Sequence, residues 1–115
     1  MRPYIQQALS FGPFTLHRSE RLLFDGEREV RLGGRTMDLL IALVERSGEV
    51  VSKQALMAYV WGCQAVEEAT LRTQVAALRA VLGDGQNDQR YIVNVPGRGY
   101  CFVAAVRTQR PSPHG

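Results

Sequence analysis

Apolar residues alternate with polar ones in the first third of the chain and recur every three to four positions in the middle. Phe14-Thr15-Leu16-His17 alternates, Leu22-Leu23-Phe24 leads into Asp25-Gly26, and Glu29-Val30-Arg31-Leu32 alternates again. A period of two around an Asp-Gly pair predicts short antiparallel strands joined by a tight turn. The expected inward set is Phe14, Leu16, Leu22 or Phe24, Val30 and Leu32, with Arg18, Arg21, Arg28 and Arg31 as solvated outward charges. A meander this small is marginal alone and calls for a partner layer.

After Gly33-Gly34 the period becomes 3.6. Met37, Leu40, Ile41 and Val44 fall at i, i+3, i+4 and i+7, which predicts a first helix from about Arg35 to Ser47 with its stop at Gly48. Ser52 is a good N-cap for a second helix, Lys53 to Trp61, burying Leu56, Tyr59 and Val60 and ending at Gly62. A loop from Cys63 to about Ala69 carries Glu67 and Glu68, whose charge suits the first turn of the next helix. That third helix runs from about Glu68 to Leu82. Its apolar stripe is Leu71, Val75, Leu78 and Leu82, and Arg72, Thr73, Ala76 and Arg79 are expected on the opposite arc. Asp84 to Arg90 reads as a polar loop. Tyr91 to Val95 and Tyr100 to Ala104 then flank Pro96-Gly97-Arg98-Gly99, the pattern of a hairpin with a basic tip. The tail from Arg107 to Gly115 has the Pro and Ser of a linker.

The fold class is therefore α+β: an N-terminal antiparallel sheet, three helices and a C-terminal β-hairpin. At 115 residues with 45% hydrophobic and 22% charged side chains, the chain is sized and composed as one folded domain over residues 1–106 with a tail at 107–115. No apolar run approaches a membrane span or a signal peptide, so a cytoplasmic location is expected. Cys63 and Cys101 lie far apart and His17 and His114 stand near opposite ends, so no metal-ligand spacing exists. No Ser-His-Asp set, paired-carboxylate motif or phosphate loop is present either; neither an enzyme nor a cofactor is expected. The formal net charge of +3 is unevenly spread. Residues 1–69 hold 8 basic and 9 acidic residues, whereas residues 70–115 hold 6 and 2. A basic C-terminal half fits either a polyanion partner or a solvated face.

Two consecutive helices followed by a hairpin with arginine at its tip make a helix-turn-helix plus a wing. The start of a recognition helix meets base edges in the major groove, which here offers Thr70, Arg72, Thr73 and Ala76. An arginine between Gly97 and Gly99 is free of neighbouring bulk for a narrow minor groove. The runs Val60-Trp61-Gly62, Thr70-Leu71-Arg72-Thr73-Gln74-Val75-Ala76-Ala77-Leu78-Arg79 and Tyr91-Ile92-Val93-Asn94-Val95-Pro96-Gly97-Arg98-Gly99-Tyr100 resemble the OmpR/PhoB-type winged-helix effector domain of bacterial transcription regulators. The resemblance covers about Phe11 to Ala105. It implies sequence-specific binding of double-stranded DNA by helix 68–82 in the major groove. It also implies Arg72, Thr73, Gln74, Ala76, Ala77 and Arg79 at the DNA face, Lys53 and Trp61 near phosphates, and Arg98, beside Tyr100, in the minor groove. It further implies a free monomer that binds direct repeats cooperatively, and a 63–69 loop able to face RNA polymerase.

The sequence departs from the family pattern. Ala76 and Ala77 stand where many members carry a basic residue, Cys101 stands where arginine is usual, and Gly33-Gly34 replaces the Thr-Pro opening of the first helix. With Met1 about ten residues before the first strand and a linker-like C-terminus, the layout is expected to be the N-terminal piece of a longer regulator. That arrangement resembles CadC/ToxR-like or ATPase-linked members. Alternatives stay open for single residues: Trp61 fits a packed anchor, Arg79 a surface ion pair, Arg98 a turn. For the whole module the alternative is a winged-helix protein-interaction domain without DNA binding.

Overall fold

The computed structural model describes residues 8–86 and 89–109. They form two compact units: one from the chain up to Arg31 together with the chain from Ala105, the other Leu32–Ala104.

The first unit is a five-stranded antiparallel sheet. Strands β1 (Ala8–Phe11), β2 (Phe14–His17), β3 (Leu22–Asp25) and β4 (Arg28–Val30) form a meander, and β8 (Arg107–Gln109) adds to β1, giving the order β4-β3-β2-β1-β8. The register places Leu9, Leu16, Leu23 and Val30 in one row across four strands. Leu16 and Leu23 are fully buried in that row. The expected inward residue of β3, Leu22 or Phe24, is thus corrected to Leu23: pairing with Leu16 sets its face, which a run of three apolar residues leaves undetermined. Residues 107–109, expected as linker, are strand because Ala8, Leu9 and Ser10 present an edge for them to pair with. The rest of the expected tail, residues 110–115 with His114, lies outside the described residues.

The second unit holds helices α1 (Gly34–Glu45), α2 (Lys53–Trp61) and α3 (Glu68–Leu82), and a three-stranded sheet of order β5-β7-β6 from β5 (Val50–Val51), β6 (Ile92–Val95) and β7 (Gly99–Phe102). Helix α1 packs on α2, α3 and β7. Its buried residues (Met37, Leu39, Leu40, Leu43, Val44) meet Leu56 and Val60 of α2, the full predicted stripe Leu71, Val75, Leu78 and Leu82 of α3, and Ile92 and Phe102 in one core. Ser52 caps α2, its Oγ accepting from the Ala55 N–H at 3.0 Å. Gly33 is the N-cap of α1 and supplies no side-chain cap. Tyr59, expected inside, is 48% exposed. Its ring lies under the Arg46 guanidinium at 4.7 Å and its hydroxyl donates to Glu45 at 3.3 Å, so the cation and carboxylate draw it to the surface. No helix of the described residues is long and apolar enough to cross a membrane.

Candidate nucleic-acid interface

The geometry of α3 follows from its 100° step per residue. Thr70, Thr73, Ala76, Ala77 and Ala80 face away from the buried stripe and are exposed. All are short, so the backbone of this face can approach a partner closely. Thr73 Oγ1 donates to the Ala69 carbonyl at 3.0 Å, which uses its proton within the helix and leaves its methyl group and lone pairs outward. Arg72 is exposed at the edge of this face.

The helix enters from the exposed connection after Gly62, with Glu67 at its N-cap and Glu68 in its first turn. Glu68 Oε2 accepts from Lys53 Nζ at 2.5 Å and lies 3.9 Å from Arg72. The Lys53 hydrogen bond, then its charge, holds the Glu68 carboxyl below its usual value. The first turns of α2 and α3 are thereby joined. The wing meets the same place: Gly99, at the start of β7, lies so close to the Val51 carbonyl and Ser52 Cα that a methyl there would overlap both. Gly99 thereby packs the base of the wing tip against the residues that open α2. Arg98 is exposed in the tip between Val95 and Gly99, where its N–H donates to the Val95 carbonyl at 2.9 Å.

The structure therefore brings Lys53, Thr70, Arg72, Thr73, Ala76, Ala77 and Arg98 to exposed or half-exposed positions around α3 and the wing. It turns four expected site residues elsewhere. Trp61 and Tyr100 are buried. Gln74 accepts a 2.6 Å hydrogen bond from Thr36 on α1. Arg79 sits only about 70° from the centre of the buried stripe rather than opposite it, and it donates to the Ile92 carbonyl at 3.1 Å. Gly99 lies against Val51 and Ser52 inside the domain, where a side chain has no room.

Sequence reasoning missed the polar ties that hold this arrangement. Arg35 donates to the Val60 carbonyl at 2.8 Å, fastening the start of α1 to the end of α2. Asp84, read only as a loop residue, is an almost fully buried carboxylate. Its one sequence signal is its place directly after the helix stop at Gly83.

The chain matches the family described as "Transcriptional regulatory protein, C terminal" over residues 27–102. It is 33% identical over 114 residues to the transcriptional regulator HilA of Salmonella typhimurium, covering 96% of this chain and 20% of that protein. The chain thus spans about a fifth of that curated relative's length. Among solved structures it is similar to the DNA-binding domain of Escherichia coli CadC, with a TM-score of 0.77 and 30% identity over 90% of this chain and 98% of that one. It is also similar to the DNA-binding domain of Klebsiella pneumoniae RstA solved in complex with the RstA box, with a TM-score of 0.73 and 25% identity over 84% and 96%.

Proposed function

This chain belongs to the family of C-terminal domains of transcriptional regulatory proteins, and from that premise we propose that it binds double-stranded DNA sequence-specifically as the effector domain of a bacterial transcription regulator. The observation that carries the reading is an exposed short-side-chain face on α3 and an exposed hairpin arginine within one compact unit. In this reading α3 lies in the major groove, with Thr70, Thr73, Ala76 and Ala77 against base edges and Arg72 on guanine or phosphate. Arg98 enters the flanking minor groove, and Lys53 lies by the backbone. A module this small covers about 600–1,000 Å², so two copies on direct repeats one helical turn apart bind cooperatively while the free chain is monomeric. The 63–69 segment, whose last two residues begin α3, is offered to RNA polymerase. In this reading the chain acts in the cytoplasm as a DNA-reading module.

Selection of bound duplexes from a random pool, followed by a salt titration, tests this. Enrichment of one motif, with affinity falling steeply as salt rises, is the expected result. Failure to bind any duplex at low salt would overturn it and favour the protein-interaction module.

A further inference from the structure

The end of α3 and the start of the wing are joined by an ionic arrangement around one buried carboxylate, and it makes no use of DNA. Asp84 stands two residues beyond α3, and its side chain is 3% exposed. Its Oδ1 accepts from the backbone N–H of Tyr91 and, at 3.3 Å, from that of Ile92. Its Oδ2 lies 3.5 Å from Arg79 Nε and 3.8 Å from the exposed Arg90. Arg79 reaches on to donate to the Ile92 carbonyl at 3.1 Å. Both backbone groups of Ile92 therefore end on one carboxylate–guanidinium pair. Strand β6 is an edge of the β5-β7-β6 sheet, so its outward N–H and C=O have no neighbouring strand. Asp84 and Arg79 take that strand's place at Ile92.

The consequence is mechanical. The hairpin runs from Ile92 to its tip beyond Val95, a lever of roughly 10 Å at the usual rise per residue. A tilt of roughly 10° at its base would move the tip by roughly 2 Å, more than a hydrogen bond in a groove tolerates. Because Arg79 is on α3 itself, the tie fixes the wing against the helix that is to lie in the neighbouring groove.

We propose that Asp84 and Arg79 are positioning residues for DNA reading, setting the pose of the wing relative to α3 so that Arg98 and the helix engage their grooves together. The inference rests on the DNA-binding role argued above. Neither residue touches DNA in it.

The test is a double-mutant cycle on the selected duplex with Asp84→Asn and Arg98→Ala, repeated with Arg79→Lys in place of Asp84→Asn. Asparagine keeps an acceptor for the two N–H groups and loses the ion pair; lysine keeps the cation and loses the planar fork. Arg98→Ala is expected to weaken binding about tenfold in the wild-type chain and less than about threefold beside either clamp variant. Thr73→Ala should shift the selected motif equally in all backgrounds, which a general loss of folding would not reproduce. Amide exchange at Tyr91 and Ile92 should be faster in Asp84→Asn. An undiminished Arg98→Ala effect in folded clamp variants would overturn the proposal, as would failure of both clamp variants to fold, which would make the pair a folding element. If the wild-type chain binds no duplex, the DNA-binding role itself fails, and this is seen before any variant is made.

Discussion

Replacing Gly99 with alanine should destabilise this domain more than the same change at Gly97, and its surroundings set the magnitude. A Cβ there would lie 1.9 Å from the Val51 carbonyl oxygen, 2.7 Å from its carbon and 2.9 Å from Ser52 Cα. All three are backbone atoms. Non-bonded contacts settle near 3.5–4.0 Å, so β5 would have to retreat by roughly 1.5 Å. That movement breaks the pairing of Val50 and Val51 with Cys101 and Tyr100, in a strand only two residues long. Each lost hydrogen bond costs about 1 kcal/mol. Gly99 also sits at φ +149, where side chains add about 1–3 kcal/mol of strain. The total is about 3 kcal/mol or more, a fall in Tm of roughly 12 °C or more for a domain near this size. Gly97 is the control. It has φ +75 but open space around it, so Gly97→Ala should cost only about 1–2 kcal/mol. Thermal melts followed by circular dichroism compare the two. A Gly99→Ala variant that melts as high as Gly97→Ala, yet binds DNA poorly, would refute the packing argument and return Gly99 to a role at the DNA surface.

Gly33→Ser should raise stability by about 0.5–1 kcal/mol, because the residue is already extended (φ −64, ψ 161) at an uncapped helix start with room for a side chain; an unchanged or lower Tm would count against it. Glu68→Gln should free Lys53 and Arg72 for phosphate, steepening the log affinity against log salt slope on random DNA by about 0.9 and tightening binding about eightfold at 0.1 M salt; an unaltered slope rejects the counter-ion role. The acid limb carries a related sign. The folded-state pKa of Glu68 is lowered, chiefly by the Lys53 hydrogen bond, so its contribution is present above the ordinary carboxylate pKa and is lost as pH falls through the folded value. The Tm difference between wild type and Glu68→Gln should therefore shrink from pH 7 toward pH 3. Ala76→Arg should fold normally on its exposed face, steepen the salt slope by about 0.9, and leave the selected motif unchanged; collapse of the Tm would mean the face is misassigned.

Helices α2 and α3 were legible to the residue because their signals are local: Ser52 caps one, glycines end both, and the α3 stripe repeats at 3.6. Strands β5 and β8 were not, since two or three residues hold no periodicity and their partners are remote; Ala8 pairs with Gln109. The site divides in the same way. Exposure of Thr73, Ala76 and Ala77 follows from helical phase, and Arg98 from its turn. Arg79 and Gln74 lie on the flanks of the helix, where phase alone does not decide between solvent and a neighbour; Ile92 and Thr36 decide it. Sequence shows Glu68 as a favourable charge for the first turn of the helix, but its partner Lys53 is fifteen residues earlier and only folding brings it near.

The bond between Thr36 and Gln74 bears on how new binding specificities could be written onto this domain. Thr36 is almost fully buried, and its 2.6 Å hydrogen bond spans α1 and α3. The interdigitated apolar stripe holds α3 by packing, and a directional bond adds a polar constraint on its axial position at one point. Positions 70, 73, 76, 77 and 80 then behave as an exchangeable cassette displayed at constant height and angle, while 74 and 79 belong to the mount. Libraries that vary the five should return altered motifs on an unaltered fold, and libraries that include Gln74 should lose the common frame in which those motifs can be compared.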